Sequence, residues 1–273
     1  MRVLGPDRFR GQAQPTGQGR LFGGQVVAQA LQAAQSTCPE RPAHSLHAYF
    51  VRPGRETEPV EYAVQRDHDG RSFAARRVIA TQRGDLILTL QASFQAPEAG
   101  LSHQDVMPAA PPPETLVSDA TYWAGRLDEL PERARRHYCL PQPIEFRPVE
   151  RRSSWQEGGV SPASSMAWFR SVAPLGNDPA MHRAVLAYAS DIMLLTTSLL
   201  PHGKSFLSDA LQGASLDHAL WLHDDVRVDD WILYVTDSPW AGQGRGINRG
   251  RMFARDGRLI ASVAQEGLIR VRS

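Results

Sequence analysis

The sequence predicts an α+β fold of two similar units, each with an antiparallel sheet wrapped around one long helix. The first observation is an internal repeat: an apolar helix, a strand with a Ser-Leu pair and a histidine, and a hairpin containing Gly-x-Leu-Ile occur twice in this order. The second is that both helices are apolar around most of their circumference, which is typical of an enclosed helix. The third is that the strands are rich in Val, Ile, Leu and Phe and are joined by short glycine-containing turns.

The first unit is predicted over residues 1–107. Its helix is expected from Phe22 to Gln35, and its repeat strand, HSLHAYF, begins at His44. The hairpin RRVIATQRGDLILTLQASF begins at Arg76. Its turn is expected at residues 82–84, because the glycine-containing sequence Gln-Arg-Gly is typical of a tight hairpin turn.

A linker is predicted over residues 108–139. It begins with the stiff, proline-rich segment Pro108–Glu114 and continues as an interrupted, exposed helix, TLVSDATYWAGRLDELPERARR. The second unit, residues 140–273, then opens with a strand at Ile144.

The second repeat helix is expected from Ala180 to Leu200. Asp178-Pro179 is a suitable start, because an acidic N-cap precedes proline at the first helical position. The strand SLDHALWL follows from Ser215, and the hairpin RGRMFARDGRLIASVAQEG follows from Arg249, with its turn at Arg-Asp-Gly.

Composition excludes several classes of function. A net charge of +1 over 273 residues argues against broad nucleic-acid binding, which needs a basic face. The two cysteines, Cys38 and Cys139, suit a reducing compartment better than a disulfide framework. The first residues lack the basic and then apolar layout of a signal peptide, so we expect a cytoplasmic location.

One charged residue, Asp191, interrupts the apolar segment Ala184–Gly203. Burying an unpaired carboxylate costs free energy, so Asp191 is either a structural residue whose hydrogen bonds are satisfied or a catalytic residue. The segment approaches the length of a membrane span, but it also contains Tyr188, Ser190 and two threonines. We therefore interpret it as a buried helix of a soluble protein and expect no membrane span.

With these motifs the sequence resembles the type II acyl-CoA thioesterases, a family with two fused hotdog folds. In that family each hotdog is a long helix embraced by an antiparallel sheet. The resemblance spans nearly the whole chain in family order. It rests on FRGQ from Phe9, LFGGQVVAQAL from Leu21, HSLHAYFVRPG from His44, DGRSFAARRV from Asp69, ASFQAPEAG from Ala92, LAYASD ending at Asp191, LDHALWLH from Leu216 and AQEGLIR from Ala264.

The resemblance implies hydrolysis of acyl-CoA thioesters by an Asp, a Ser or Thr, and a Gln, which fall on Asp191, Ser215 and Gln265. Hydrolysis needs a nucleophilic water and a polarised carbonyl. An ionised carboxylate can accept a proton from a water that a hydroxyl and an amide orient. Gln265 alternates in phase with apolar residues of its strand, so it is expected to face the helix, whereas Glu266 faces the other way.

Further residues are candidates for substrate binding. Gly23 and Gly24, at the start of the first helix, could offer backbone donors to the developing oxyanion; the alternative is close helix packing. Arg245, Arg249 and Arg251 form a basic cluster that could hold the phosphates of CoA; the alternative is a solvated strand face.

The repeat indicates one hydrolytic site per chain. No Asp or Glu occurs from Arg8 to Pro39, so the first helix has no counterpart of Asp191. Aligning the His-Ala pairs of the two repeat strands puts His44 where the second unit has Ser215. We expect the first unit to contribute binding surface, with His44 as one candidate. Because hotdog sheets commonly pair edge to edge, the resemblance also implies a continuous pseudo-dimer and further association into a homo-oligomer.

The sequence gives little support to other catalytic mechanisms. The serine elbow G-x-S-x-G is absent, and neither cysteine lies in an activating motif. His218 and His223 lack the spacing of a ligand set, so we expect no metal and no cofactor. Asp217 and His218 are strand neighbours that point to opposite faces and therefore do not form a pair. Two alternative functions remain: a hotdog hydratase or dehydratase of enoyl thioesters, and a non-catalytic acyl-CoA-binding regulator.

Overall fold

The computed structural model describes residues 1–130, 132–151, 159–205 and 211–272. The elements of the first half are β1 (Arg2–Gly5), β2 (Arg8–Gly11), α1 (Gly23–Ser36), β3 (Ala43–Phe50), β4 (Val60–Asp69), β5 (Phe73–Gln82) and β6 (Asp85–Gln95). Two short helices, α2 (Asp119–Ala124) and α3 (Glu132–Tyr138), connect it to the second half. The remaining elements are β7 (Ile144–Pro148), β8 (Ser164–Ser171), α4 (Pro179–Ser190), β9 (Leu211–Ser215), β10 (Asp217–Leu222), β11 (Ile232–Gly242), β12 (Arg245–Ala254) and β13 (Leu259–Val271).

The described strands form one antiparallel sheet that runs through both halves. Its order is β1-β2-β4-β5-β6-β3-β10-β13-β12-β11-β8-β7, and β9 pairs with β13. The halves meet where β3 pairs with β10, with His47 opposite Ala219 and Ala48 opposite His218. The His of each His-Ala pair thus lies opposite the Ala of the other pair. A local two-fold axis between the halves requires this arrangement. This confirms the predicted α+β fold of two fused hotdog units and the alignment of their repeat strands.

The two long helices lie side by side and antiparallel in one hydrophobic core. Near one end the side-chain amide of Gln35 on α1 donates to the carbonyl of Ala180 on α4, at 3.0 Å. Near the other, a Cβ built on Gly24 would lie 2.6 Å from the carbonyl oxygen of Tyr188. The N-terminus of α1 therefore lies against the C-terminus of α4.

The second helix is shorter than predicted. We expected it to reach Leu200, but α4 ends at Ser190, with Asp191 as its C-cap. Met193 has a φ of 65°, a left-handed conformation that a right-handed helix cannot continue. The chain resumes as a 3₁₀ helix over Leu195–His202. Asp191 thus lies in a turn at a helix end rather than within a helix.

The predicted strand SLDHALWL is two strands. β9 ends at Ser215, which pairs with Gly267 of β13, and β10 begins at Asp217. The break falls at Leu216, whose N–H still donates to the carbonyl of Glu266, at 2.9 Å. Ser215 therefore stands at the end of a strand, beside the break that separates β9 from β10.

The hairpin turns follow the prediction. Arg83 and Gly84 have φ angles of 51° and 86°, and Gly257 has a φ of 92°. Positive φ at these positions is the conformation that tight hairpins with a matching twist need.

The linker forms short, separate helices whose described residues are mostly exposed, with an inner side that is buried. Trp123 and Leu130 are only 5% and 3% exposed, and Trp123 packs edge-on against the ring of Tyr122 at 4.7 Å. These apolar side chains form a small core of their own, so the inner side of the linker is buried. Pro131, within the predicted helix, lies outside the described residues.

Among the described residues, one stretch has the length and apolar character of a membrane span. Within Pro179–His202, a window of 18 residues has a mean hydropathy of 1.4, and 56% of that window is buried within the fold. The core helix of a soluble protein has the same length and composition, so this is weak evidence for a span.

Candidate active site

The structure brings together the three residues that the resemblance implies are catalytic. Asp191 follows α4, and its side chain is only 4% exposed. Its Oδ1 accepts a hydrogen bond from Nε2 of Gln265 at 2.6 Å, and its Oδ2 accepts one from the backbone N–H of Gly24 at 2.7 Å. The hydroxyl oxygen of Ser215 lies 3.5 Å from Oδ1, a long contact.

Helix packing explains how a carboxylate can be buried here. Because α1 and α4 are antiparallel, Asp191 faces the N-terminus of α1, where the helix dipole favours negative charge. The N–H of Gly24 and the amide of Gln265 offset part of the desolvation cost. Burial, and to a lesser degree the charge of Asp191, raises the pKa of nearby Tyr188 to about 12, so that phenol stays neutral.

The surroundings of the two glycines of α1 favour the close-packing alternative and separate the two N–H groups. The N–H of Gly24 is engaged by Asp191, so it is not the oxyanion donor that we predicted. A Cβ on Gly23 would lie 2.8 Å from Oδ2 of Asp191, and one on Gly24 would meet the backbone of Tyr188. Close packing therefore accounts for both glycines. Of the two N–H groups, that of Gly23 is the one with no acceptor among the described residues.

Gln265 faces inward, as its strand pattern predicted, within a row of three buried polar side chains. Asn248 pairs directly across the sheet with Gln265, and His218 occupies the next position of β10 on the other side. All three side chains are 0% exposed. Each has one polar atom without a hydrogen-bond partner in the described part of the chain: Nδ1 of His218, Oε1 of Gln265 and Oδ1 of Asn248.

Sequence reasoning missed Asn248 as a member of this site. A signal was present, because Asn248 alternates in phase with Gly246, Gly250 and Met252, and so belongs to the inward face of β12. A polar amide among small and apolar inward residues has the same pattern that singled out Gln265.

His218 was discounted as a partner of Asp217, and that interpretation is confirmed. Asp217 lies on the opposite face, where it accepts from the N–H of Glu266 at 2.7 Å and contacts Nε2 of His47 at 3.1 Å. His218 instead points towards the helices. Its Nε2 lies 2.8 Å from the hydroxyl of Ser190, and its Nδ1 lies 4.0 Å from Oδ1 of Asp191.

His44 is not brought to the carboxylate. Its Nε2 hydrogen-bonds with the hydroxyl of Ser93 at 2.8 Å, and its ring packs edge-on against Phe73. Partial burial lowers the pKa of His44, which favours the neutral imidazole.

The three candidate arginines lie on the outer face of β12, opposite the inward face that carries Asn248. The structure does not bring them next to Asp191. Each forms an ion pair with an acidic side chain: Arg245 with Glu266 at 3.0 Å, Arg249 with Asp237 at 2.7 Å and Arg251 with Asp105 at 2.8 Å.

Both halves of the chain match known protein families. Residues 12–95 match the family model of the acyl-CoA thioesterase N-terminal domain. Residues 139–268 match the family model of acyl-CoA thioesterase. The second match contains Asp191, Ser215 and Gln265, and the first contains Gly24.

Individual relatives are similar over almost the whole chain. Acyl-CoA thioesterase 2 of Haemophilus influenzae is 38% identical, over 96% of this chain and 92% of that protein. Acyl-coenzyme A thioesterase 8 of Homo sapiens is 41% identical, over 98% and 86%. The crystal structure of an acyl-CoA thioesterase II from Mycobacterium marinum has a TM-score of 0.81 at 38% identity, covering 100% of this chain and 96% of that one. This chain therefore belongs to the acyl-CoA thioesterase family.

Proposed function

We propose that this protein hydrolyses acyl-CoA thioesters to free fatty acid and CoA, by direct attack of a water that Asp191 activates with Ser215 and Gln265. The observation that carries the proposal is the buried carboxylate of Asp191, bonded to Gln265 at 2.6 Å and to the N–H of Gly24 at 2.7 Å, with Ser215 beside it. A carboxylate held in this way at a helix N-terminus is a fixed proton acceptor.

In the first step, Asp191 accepts a proton from the water. The water oxygen forms a bond with the thioester carbonyl carbon, and the carbonyl π electrons move to its oxygen. Ser215 and Gln265 orient the water, because positioning a reactant contributes several kcal/mol to lowering a barrier. The hydroxyl of Ser215 can donate to the water when it turns away from its long contact with Asp191.

In the second step, the tetrahedral intermediate collapses. The carbon–sulfur bond breaks, its electron pair leaves with the CoA sulfur, and the proton held by Asp191 passes to that sulfur. The N–H of Gly23, which has no acceptor among the described residues, lies at the positive end of α1 and is the candidate donor to the oxyanion. No bond forms between protein and acyl group.

We also propose one such site per chain. The offset that relates Gly84 to Gly257 in the repeat places Ala92 at the position of Gln265, and the alignment of the two His-Ala pairs places His44 at the position of Ser215. Neither the amide nor the hydroxyl is therefore repeated in the first half, and α1 contains no acid. Calorimetric titration with a non-hydrolysable acyl-CoA analogue measures the number of sites. One analogue bound per chain supports the proposal, and two equivalent sites per chain contradict it.

A panel of acyl-CoAs tests the activity itself. Rapid release of free thiol is the expected result. Addition of water to an enoyl-CoA without thiol release would identify a hydratase instead, and tight binding without turnover would identify a regulator. The chain lengths that give the highest kcat/KM would define the acyl specificity.

Ser215→Ala is expected to lower kcat about 10²-fold, the typical cost of a misplaced reactant, with little change in KM. Ser215→Thr keeps the hydroxyl and should stay within a few-fold of the wild type. Steady-state thiol release measures both variants. Equal losses in the two would show that the hydroxyl does not orient the water.

Arg245→Ala tests whether the outer arginines hold CoA. Because the phosphates of CoA would replace Glu266 as its partner, we expect KM to rise several-fold for an acyl-CoA and not for the matching acyl-pantetheine. If the variant has the wild-type KM for each of the two thioesters, Arg245 serves only the ion pair with Glu266. Arg249→Ala and Arg251→Ala extend the comparison along β12.

The remaining expectations concern organisation. A division into units at residues 1–107 and 140–273, a cytoplasmic location and assembly into a homo-oligomer stay predictions. Light scattering coupled to size-exclusion chromatography measures the assembly directly.

A further inference from the structure

A buried imidazole lies beside the carboxylate of Asp191, on the side of one of its ring nitrogens. His218 is 0% exposed, and its Nδ1 lies 4.0 Å from Oδ1 of Asp191. No described residue forms a hydrogen bond with this Nδ1. Buried polar atoms are almost always hydrogen-bonded, so an unpaired nitrogen beside the proposed base needs an explanation.

The hydrogen bonds around Ser190 determine which nitrogen of His218 carries the proton. The hydroxyl of Ser190 donates its single proton to the carbonyl of Ala187, at 2.9 Å. Its oxygen must therefore accept from His218, whose Nε2 lies 2.8 Å away. The neutral ring then has its proton on Nε2 and a lone pair on Nδ1.

Ser190 is itself held in place. The phenol of Tyr234 donates to the carbonyl of Ser190 at 2.7 Å, and both side chains are buried. The ring of His218 is thereby anchored through Nε2, and its Nδ1 lies 4.0 Å from Oδ1 of Asp191. While Asp191 is ionised, two acceptors face each other.

This mismatch disappears when Asp191 holds a proton. We propose that His218 is a positioning residue that stabilises Asp191 in its protonated state: once the two side chains close the 4.0 Å between Nδ1 and Oδ1, Nδ1 accepts a hydrogen bond from the proton that Asp191 Oδ1 takes from the water. The interaction is absent while the carboxylate is ionised and present once the proton has moved. It therefore stabilises the transition state without stabilising the ground state, and the barrier falls. The proton later passes from Asp191 to the CoA sulfur, and His218 returns to its starting form.

The surroundings keep His218 neutral, as this role requires. Burial lowers the pKa of His218, although the carboxylates of Asp191 and Asp217 act in the opposite direction. Asp217 and His47 lie on the far side of the sheet, and Tyr234 approaches from β11 as a neutral phenol whose pKa burial raises. At neutral pH the ring can therefore accept at Nδ1.

His218→Gln tests the proposal. The side-chain amide of glutamine can still donate to the hydroxyl of Ser190, but glutamine has no acceptor at the position of Nδ1. We expect kcat to fall about 10–100-fold with KM within twofold, and the ratio of kcat in H₂O to kcat in D₂O to rise, because proton transfer becomes harder. A kcat within twofold of the wild type in a folded variant would overturn the proposal.

His182→Gln is the matched control. His182 is 2% exposed, and both of its ring nitrogens are engaged, Nε2 with the carbonyl of Gly176 and Nδ1 with the N–H of Val228. Its loss should lower the melting temperature without changing kcat or the solvent isotope effect. The same fall in kcat and the same isotope effect in both variants would reduce His218 to a structural residue.

The proposal rests on the proposed function, and a double variant separates the two. If Asp191→Asn abolishes turnover, adding His218→Gln should lower the residual rate no further, because there is no carboxylic acid left to stabilise. Independent, multiplying losses would overturn the role of His218 and leave the role of Asp191 intact. Full activity of Asp191→Asn would instead remove the proposed mechanism itself.

A measurement on the wild-type protein does not depend on the folding of any variant. Nitrogen-15 spectra of protein labelled in its histidine rings report the tautomer of each imidazole. We expect His218 to have a protonated Nε2 and an unprotonated Nδ1 from pH 6 to 8. A proton on Nδ1 across this range would overturn the proposal.

Discussion

Asp191→Asn is expected to lower kcat for acyl-CoA hydrolysis about 10³-fold, within the range that general acid–base groups contribute. The amide has nearly the same shape but cannot accept a proton from water. The variant should also lose about 1–3 kcal/mol of unfolding free energy, because the new NH₂ group faces either Gln265 or the N–H of Gly24 as donor against donor. Thiol release and thermal unfolding measure the two effects separately.

Asp217→Asn is the matched control for this variant. Asp217 is a carboxylate of the same region, but it lies on the opposite face of the sheet, where it accepts from the N–H of Glu266. Its substitution should leave kcat within a few-fold of the wild type. Near-normal turnover in Asp191→Asn, or equal losses in both variants, would remove Asp191 from the mechanism.

Gly24→Ala is expected to destabilise the fold and to lower activity as well. The new Cβ would lie 2.6 Å from the backbone carbonyl of Tyr188, and a backbone atom cannot rotate away as a side chain can. Forcing α1 away from α4 should cost about 2 kcal/mol, the usual scale of overpacking. It should also lower kcat, because the N–H of Gly24 no longer holds Asp191 in place.

Gly125→Ala controls for the general effect of replacing glycine. A Cβ at Gly125 would meet nothing within 4 Å, and its φ of −95° suits any residue. Its melting temperature should match or slightly exceed that of the wild type, since alanine restricts the unfolded chain. If Gly24→Ala were equally stable and active, close packing of the helices would not be what positions the carboxylate.

The repeat made the fold predictable. Two copies of the helix, strand and hairpin order predicted two equivalent units, and the paired His-Ala motifs of β3 and β10 lie across the local two-fold relation. The end of α4 was not predictable in this way. The left-handed turn at Met193 has no glycine to mark it, so the apolar run reads as a longer helix.

The candidate site was predictable where it depends on periodicity. Alternation along β13 indicated that Gln265 points inward, and one charge in an apolar segment indicated Asp191. The hydrogen bond from Gly24 to Asp191 could not be read from the sequence, because it joins residues 167 positions apart through the packing of two helices. The approach of His218 to Asp191 likewise depends on where α4 ends.

A single turnover in water labelled with oxygen-18 tests most directly whether Asp191 acts as a base on water. With enzyme in excess over acyl-CoA, we expect one labelled oxygen in the fatty acid and none in the peptide that contains Asp191, both measured by mass spectrometry. Label in the side chain of Asp191, or an unlabelled fatty acid, would contradict direct attack by water and indicate a covalent intermediate on the carboxylate.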